Sequence, residues 1–183
     1  MGENKAFIQI EGIPIVHRIY ALFRELFEEI IIVTNETDLF ADLDARVVED
    51  ILPGAGALGG LYTGLFFSSF RHSFCVACDM PFLKSPLIEY LYRKTPGYDV
   101  VVPKTRDGLE PLHAYYSQNC IDPARTILAK GSYKIIDIYP LVKVEMVGED
   151  EIHALDPEGE SFINVNTPEE LLSIQRRKTG IPQ

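Results

Sequence analysis

Short apolar runs that alternate with helical segments constrain this chain more than any other feature of its sequence. Four runs rich in β-branched residues are predicted as strands: residues 30–34, 46–49, 73–78 and 99–103, the last ending at its proline. Helices are predicted over residues 14–28, 37–43, 58–70 and 85–95. Strands that alternate with helices in this way indicate an α/β fold with a mainly parallel sheet covered by helices.

The second half of the chain adds further elements to the same domain. We predict a strand over residues 110–117, a helix over 119–130 and a strand over 141–147. A last helix is expected to begin at Thr167, which can cap it, with Pro168 in its first turn; Ser85 and Pro86 should start the 85–95 helix in the same way. No repeat or linker interrupts the 183 residues, so we expect one domain over residues 1–183.

Composition and charge exclude several classes of protein. With 46% hydrophobic and 24% charged residues, the chain is globular rather than disordered. No apolar run approaches the roughly eighteen residues of a membrane span, and no export signal is recognisable. Three cysteines are too few for a disulfide framework, which favours the cytoplasm. A net charge of −10 argues against a nucleic acid partner.

Polar side chains follow the predicted strands at their carboxyl ends, where parallel sheets bind ligands. Thr34 and Asn35 follow the first strand, Asp50 follows the second, and Asp79 follows the third. Asp79 is the sharpest candidate, because Pro81 ends the strand directly after it. One carboxylate beside phosphates is the usual protein contribution to a Mg²⁺ site. Each of these residues could instead be an ordinary turn residue.

Three other features are weaker signals. The glycine-rich residues 54–60 lead into a helix and could let backbone approach a phosphate, although no Walker A lysine follows. Lys5 could bind a triphosphate as a point charge or simply be solvated, and His113 could line a pocket. Cys75 and Cys78 lie in a predicted strand without a second pair, so we interpret them as small buried residues rather than a zinc or redox site.

Together these segments resemble the molybdenum cofactor guanylyltransferase family, a MobA-like branch of the nucleotidyltransferases. The matching segments follow in the family's order over essentially the whole chain. They are residues 1–6 (Met-Gly-Glu-Asn-Lys-Ala), 56–60 (Gly-Ala-Leu-Gly-Gly, with alanine in place of the family's proline), 78–81 (Cys-Asp-Met-Pro) and 164–171 (Asn-Val-Asn-Thr-Pro-Glu-Glu-Leu). The resemblance implies a Rossmann-like, mainly parallel sheet with helices on both faces, of the nucleotide-diphospho-sugar transferase type.

The sequence departs from the family pattern at its start. Family members begin with a central strand that ends in Leu-Ala-Gly-Gly, and its backbone contacts guanine and phosphates. No such segment is present before Lys5. We therefore expect about 15–20 residues, one strand and a loop, to be missing from this sequence. Without them the edges of the neighbouring strands would be exposed.

The resemblance also implies a reaction and its residues. Molybdopterin, carrying its metal, would attack the α-phosphorus of GTP, pyrophosphate would leave, and GMP would join the cofactor. The implied roles are Mg²⁺ binding for Asp79, triphosphate binding for Lys5, nucleoside contacts for Asn35 and Asp50, loop shaping for Gly56 and Gly60, and pterin contacts for Asn164 and Asn166 on one face of a strand. Asp79 and Lys5 would be the catalytic residues. Partners could include cofactor-biosynthesis proteins and acceptor molybdoenzymes.

Two alternatives stay open on the sequence. The chain could be a cytidylyl- or sugar-phosphate nucleotidyltransferase, because base specificity is expected in the absent glycine-rich segment. It could also be a non-catalytic nucleotide- or cofactor-binding chaperone for molybdoenzymes. The Asn-x-Asn motif at 164–166 favours the pterin substrate.

Overall fold

The computed structural model describes residues 5–167 and Glu170. Its strands are β1 (Gln9–Ile10), β2 (Ile13–Pro14), β3 (Ile31–Val33), β4 (Arg46–Val48), β5 (His72–Val76), β6 (Val100–Thr105), β7 (Gly108–Leu109), β8 (His113–Ser117) and β9 (Val144–Val147). Its α-helices are α1 (Ile15–Leu26), α2 (Gly56–Phe67), α3 (Ser85–Arg93), α4 (Ile121–Ala129) and α5 (Glu149–His153). Within the described residues, no helix combines the length and apolar character needed to cross a bilayer.

The strands form two main groups. β3 and β4 pair in parallel, with Ile32 opposite Val47. The larger sheet has the order β5-β8-β6-β7, and β9 pairs in parallel with β6. β8 runs antiparallel to both β5 and β6, and β7 runs antiparallel to β6, so the larger sheet contains two reversed strands beside the parallel strands β5, β6 and β9. Neither β3 nor β4 is hydrogen-bonded to the larger sheet.

Helices cover both faces of the larger sheet, as the sequence predicts. Val101 and Tyr115 face a core with α1 and α3, whereas Val100 and Tyr116 face a core with α2 and α4. Neighbouring strand residues point to opposite faces, so each strand contributes to both cores. All four side chains are 3% exposed or less, which places the inner strands at the centre of the molecule. The α/β prediction is thereby confirmed.

Three local predictions are wrong. β6 continues through Pro103 to Thr105. Pro103 lies opposite Glu110, whose N–H donates to the Pro103 carbonyl at 3.0 Å and whose own carbonyl accepts from the His113 N–H at 3.0 Å, so the missing proline N–H leaves no carbonyl unpaired there. Ser85 is the first residue of α3 rather than its cap, because Lys84 takes the N-cap position. Instead of a helix over 37–43 there is a single 3-10 turn over Thr37–Phe40.

Candidate active site at the carboxyl edge of the sheet

Asp79 lies in the turn that follows β5. The Met80 N–H donates to the Ala77 carbonyl at 3.4 Å, and the Asp79 carbonyl accepts from the Val165 N–H at 2.8 Å. The Asp79 side chain is half-buried, and its Oδ1 is inaccessible to solvent and has no hydrogen-bond partner among the described residues. A buried carboxylate oxygen without a partner is energetically costly, and a bound cation would compensate for it.

The C-terminal segment brings Lys5 to the same place. Lys5 Nζ donates to Asn166 Oδ1 at 2.6 Å, one residue from the Val165 contact with Asp79. Asn164 and Asn166 are exposed on either side of the fully buried Val165, so they share one face. The segment is extended but is not a strand, contrary to our prediction, because its backbone does not join a ladder.

A capping arrangement holds this segment in place. The Asn166 N–H donates to Glu170 Oε2 at 2.7 Å, and the Glu170 N–H donates to Thr167 Oγ1 at 3.1 Å. The reciprocal bonds are of the kind that begins a helix, which agrees with the capping role predicted for Thr167. Pro168 and the rest of the predicted helix lie outside the described residues.

The pKa of the Cys78 thiol reflects the charges of its neighbours. Partial desolvation raises the pKa of its thiol, the negative charge of Asp79 raises it further, and the positive charge of Lys5 lowers it. The two charged groups therefore lie close enough to act on one side chain.

Cys75, inside β5, has its pKa raised to about 12 by burial. Within the described residues, no group of three or more His, Cys, Asp or Glu side chains could hold a metal ion without other ligands.

Asp50 ties a loop to α2 instead of extending freely into solvent. Its Oδ1 accepts from the Leu52 N–H at 3.1 Å and from the Thr63 hydroxyl at 2.8 Å. The Thr63 oxygen in turn accepts from the Ile51 N–H at 3.1 Å. Sequence reasoning missed Thr63, although a hydroxyl in an otherwise apolar helix was a usable signal. The carboxylate thus shapes the glycine-rich loop, whatever else it contacts.

The amino end of α2 is open to a ligand. Gly56 has a φ of +60°, which favours glycine, and Ala55 at the N-cap supplies no side-chain hydrogen bond. The Leu58 N–H already donates to the Tyr133 carbonyl at 3.3 Å. A Cβ added at Gly60 would have no atom within 4 Å, so this helix face borders open space. Uncapped N–H groups at a helix start favour a negatively charged group.

One cavity is lined by Gly60 and by chain neighbours of four other predicted site residues. Neighbours of Lys5, Asn35, Gly56 and Asp79 line it, and so does Gly60 itself; these neighbours are Ala6, Thr34, Ala57 and Cys78. Asn35 is exposed just beyond β3, and Asp50 follows β4. The structure therefore brings Lys5 and Asn166 to the segment that is hydrogen-bonded to Asp79, and it leaves the two nucleoside candidates beyond the carboxyl ends of β3 and β4.

His113 does not line this cavity. It is fully buried, and its ring packs edge-on against Phe74 and Phe162 with centroids 5.0 Å away in each case. Burial lowers the pKa of the imidazole to about 3. Neither ring nitrogen has a hydrogen-bond partner among the described residues. The prediction that His113 lines a pocket is therefore wrong, since the residue belongs to the core.

Comparison with known proteins gives one consistent result. Residues 1–144 match the model of the MobA-like NTP transferase domain. A protein of Pelotomaculum thermopropionicum named "Probable molybdenum cofactor guanylyltransferase" is 37% identical over 172 residues, which are 94% of this chain and 84% of the relative. A molybdenum cofactor guanylyltransferase of Desulfosudis oleivorans is 33% identical over 93% of this chain and 85% of its own length. The solved structure of molybdopterin-guanine dinucleotide biosynthesis protein A from Archaeoglobus fulgidus superposes with a TM-score of 0.84 at 25% identity, covering 98% of this chain and 93% of that one.

Proposed function

The chain belongs to the MobA-like NTP transferases, among the molybdenum cofactor guanylyltransferases, and on this premise we propose that it transfers GMP from GTP to the molybdopterin cofactor. It is thus a nucleotidyltransferase of molybdenum cofactor biosynthesis. The proposed products are the guanine dinucleotide form of the cofactor and pyrophosphate. We place the reaction in the cytoplasm, in keeping with three cysteines that are all free thiols.

The Asp79 carboxylate is the single observation that carries the proposal. Its buried Oδ1 has no protein partner among the described residues and stands at the carboxyl end of β5. We infer that Asp79 holds Mg²⁺ as a protein ligand, with substrate oxygens and water completing the coordination. The bound ion would neutralise charge on the phosphates of GTP. The donor set fits magnesium, which is commonly held by one or two carboxylates.

Lys5 and Asn166 supply the complementary groups. The bond from Lys5 Nζ to the Asn166 carbonyl oxygen leaves two ammonium hydrogens for the triphosphate. The same bond fixes the Asn166 amide, so that its NH₂ group can donate to the pterin substrate, next to the exposed Asn164. We propose Asn35 and Asp50 for the nucleoside, and Gly56 and Gly60 for the loop beside it.

The chemistry requires positioning more than a protein nucleophile. The terminal phosphate of molybdopterin attacks the α-phosphorus of GTP, the new oxygen–phosphorus bond forms, and the bond to the β-phosphate oxygen breaks as pyrophosphate leaves. An ionised phosphate needs no general base. The contribution of the chain is to hold two polyanions in line and to offset their charge with Lys5 and with the cation at Asp79.

Asp79→Asn tests the proposal. The substitution keeps the shape of the side chain and removes its charge, so we expect Mg²⁺-dependent formation of the dinucleotide product to fall by about 10²–10³-fold. The melting temperature should stay the same or rise, because a buried unpaired charge is removed. Product is measured by mass spectrometry with GTP or CTP as donor. A preference for CTP would contradict guanylyl transfer.

A matched control separates metal binding from a general loss of acidic charge. Asp44→Asn removes a carboxylate that is 91% exposed and 3.9 Å from Arg24, away from the proposed site. We expect this variant to keep full activity and the same Mg²⁺ dependence. Wild-type turnover in Asp79→Asn would remove Asp79 from the metal role and with it the observation on which the proposal rests.

A further inference from the structure

Glu110 is a half-buried acidic residue at the same edge of the larger sheet as Asp79. It follows the hairpin of β6 and β7, where its N–H donates to the Pro103 carbonyl at 3.0 Å. Further along, the Leu112 carbonyl accepts from the Ala77 N–H at 3.3 Å, two residues before Asp79. β5 and β6 both run antiparallel to β8 and are therefore parallel to each other. Both acidic residues thus lie beyond the carboxyl ends of parallel strands.

Strand pairing shows on which face of the sheet Glu110 lies. β6 and β7 pair Lys104 with Leu109, and the bond between Glu110 and Pro103 continues this ladder by one residue. Opposite residues share a face, and successive residues along a strand alternate between faces. Glu110 and Pro103 therefore lie on the face of Val101, which packs in the core with α1 and α3. Leu109 and Lys104 lie on the other face, in agreement with the packing of Leu109 in the second core.

The C-terminal segment that carries the pterin candidates packs on this same face. Phe162 and Val165 belong to the core that contains α1 and α3. The His113 N–H donates to the Glu110 carbonyl at 3.0 Å, and the His113 ring lies 5.0 Å from the Phe162 ring, centroid to centroid. Asn164 follows two residues after Phe162 and is exposed. Glu110 and Asn164 therefore belong to one side of the proposed active site.

The Glu110 carboxylate has little compensation from the protein. The Thr105 hydroxyl lies 3.4 Å from Glu110 Oε1, but its single hydrogen is shared with the Gly108 carbonyl, which is nearer at 3.2 Å. Among the described residues, no lysine or arginine forms an ion pair with Glu110. Burial raises the pKa of this carboxyl, the Thr105 hydrogen bond lowers it in part, and the charge of Asp107 raises it. A half-buried carboxylate of this kind favours a ligand with N–H donors.

The chemistry of the two proposed substrates identifies that ligand. A carboxylate is complementary to two parallel N–H donors, which it accepts in a bidentate arrangement. The pterin ring presents such a pair in its N3–H and 2-amino groups, and guanine presents the same pair in its own ring. An enzyme that binds both rings needs an acceptor for each. Asp50 follows β4 in the other group of strands, whereas Glu110 lies with Asn164, on the side proposed for the pterin.

We propose that Glu110 determines specificity for the pterin substrate by accepting hydrogen bonds from the N3–H and 2-amino groups of its ring, an inference that rests on the proposed function. The paired bonds fix the orientation of the ring, so that its phosphate-bearing substituent is directed toward Lys5 and the cation at Asp79. Among the described residues, Glu110 does not join two other acidic or histidine side chains in a group that could hold a metal ion. This favours an organic donor over a second cation.

Exchanging the donor pair tests the proposal. The probes are 6-hydroxymethylpterin phosphate and the corresponding lumazine, in which a carbonyl oxygen replaces the 2-amino group; binding of both is followed by their intrinsic fluorescence. We expect the wild type to bind the pterin at least about tenfold more tightly, because the lumazine oxygen would face a carboxylate oxygen. Glu110→Gln presents one acceptor and one donor, which match the N3–H and the 2-carbonyl oxygen of lumazine. This variant should therefore reverse the preference.

Two control variants separate paired hydrogen bonds from a change in charge. Asp107→Asn removes an equal charge from a side chain that is 87% exposed in the same hairpin, so it should keep the wild-type preference for the pterin. A reversed preference in Asp107→Asn would overturn the proposal, since charge alone would then decide between the rings. Glu110→Asp keeps the charge but withdraws the carboxylate by one methylene group. It should weaken pterin binding several-fold without reversing the preference.

Three further outcomes would overturn the assignment of Glu110. They are equal binding of both probes by the wild type, an unchanged preference in Glu110→Gln, and a change in Glu110→Gln from GTP to xanthosine triphosphate, since Glu110 would then accept from the nucleobase. The probes are measured without GTP, so binding is independent of nucleotidyl transfer. Normal GMP transfer with an unchanged preference contradicts only the role of Glu110. A reversed preference without any GMP transfer to molybdopterin contradicts only the proposed function.

Discussion

At the scale of single residues, the candidate site depends on three side chains that are distant in sequence. Asp79 could be predicted by itself, because a carboxylate between a buried strand and Pro81 is an uncommon combination. Its proximity to Lys5 and Asn166 could not be predicted from spacing, since it requires the Val165–Asp79 backbone bond and the Lys5–Asn166 contact. Only the family resemblance placed all three in one site before the structure did.

His113 shows how a titratable residue can mislead a reading of sequence. Its ring fills a gap between Phe74 and Phe162, and both nitrogens lack partners among the described residues. An imidazole in such a place is buried in its neutral form, so its burial lowers the stability of the fold only at a pH low enough to protonate histidine in the unfolded chain. We therefore expect the residue to contribute to the pH dependence of folding rather than to substrate binding.

We expect the free energy of unfolding of His113→Leu to depend less on pH below pH 6.5 than that of the wild type. The folded-state pKa is lowered to about 3 from an ordinary value of 6.5, so below pH 6.5 only the unfolded chain gains the proton. Stability is complete above pH 6.5 and falls by about 1.4 kcal/mol per pH unit between 6.5 and 3. Urea unfolding at pH 7 and pH 5 should show about 2 kcal/mol more loss in the wild type than in the variant.

His72→Leu is the control for that measurement. His72 is only partly buried, and its Nε2 lies 3.1 Å from the Tyr98 carbonyl oxygen, a partner that a proton on this nitrogen can satisfy. Its removal therefore controls for the loss of an imidazole that keeps contact with solvent and a hydrogen-bond partner. Parallel profiles for the wild type and His113→Leu would show that the buried imidazole is not the source of acid sensitivity.

At the scale of elements, apolar periodicity predicted the strands well and their ends less well. β3 and β4 agree with their predicted runs to within one residue at each end, because β-branched runs have little alternative when buried. Pro103 did not end β6, since the consequence of a missing N–H depends on which neighbour the edge faces. That neighbour is set by the fold and is absent from local sequence.

Gly59 and Gly60 are adjacent in α2 and should respond oppositely to alanine. A Cβ at Gly59 would lie 2.7 Å from the Ala55 Cβ and 3.3 Å from the Leu52 carbonyl, so the 51–55 loop would have to move. We expect Gly59→Ala to cost about 1–3 kcal/mol of unfolding free energy, the usual range for overpacking. Gly60→Ala meets no atom within 4 Å and should stabilise by up to about 1 kcal/mol through helix propensity.

Chemical denaturation of both variants measures this difference. The pair is matched in chemistry, helix and distance from the helix start, so only the surroundings of the added methyl group differ. Equal stability changes in the two variants would mean that the 51–55 loop moves without a loss of unfolding free energy. In that event the hydrogen bonds that Asp50 accepts from Thr63 and Leu52 would not hold the glycine-rich loop rigidly against α2.

At the scale of the whole molecule, the two strand groups are joined by packing and a few side chains rather than by a continuous ladder. Arg46 Nη1 donates to the Phe67 carbonyl at 2.7 Å, and its guanidinium lies 5.1 Å from the Phe67 ring centroid. The Glu29 carboxylate, just before β3, also accepts hydrogen bonds from the Ser68 hydroxyl and the Ser69 N–H. The order of strands is a non-local property, so the sequence predicted six of the nine described strands but not this division.

This division predicts unequal local stability. We expect amide exchange in native conditions to be at least about tenfold faster for the β4-bonded amides Ile32 and Thr34 than for Val101 of β6 and Tyr115 of β8. Val101 and Tyr115 lie in strands with partners on both sides, whereas β3 has only the short β4 as a partner among residues 5–167. Exchange followed by NMR in native buffer at increasing denaturant would resolve the two groups.

Arg46→Ala should increase the difference in exchange rate between β3 and the larger sheet, because it removes a side chain that joins the β3–β4 sheet to the carboxyl end of α2. Amide exchange in β3 should accelerate several-fold, while exchange at Val101 and Tyr115 should hardly change. Arg125→Ala is the control, because it removes an exposed arginine that pairs with Asp122 on α4. This control variant should change neither exchange rate. Uniform acceleration in Arg46→Ala would mean that both sheets open together. β3 and β4 would then be held as rigidly as the interior strands of the larger sheet, and the described residues would open as a single cooperative unit.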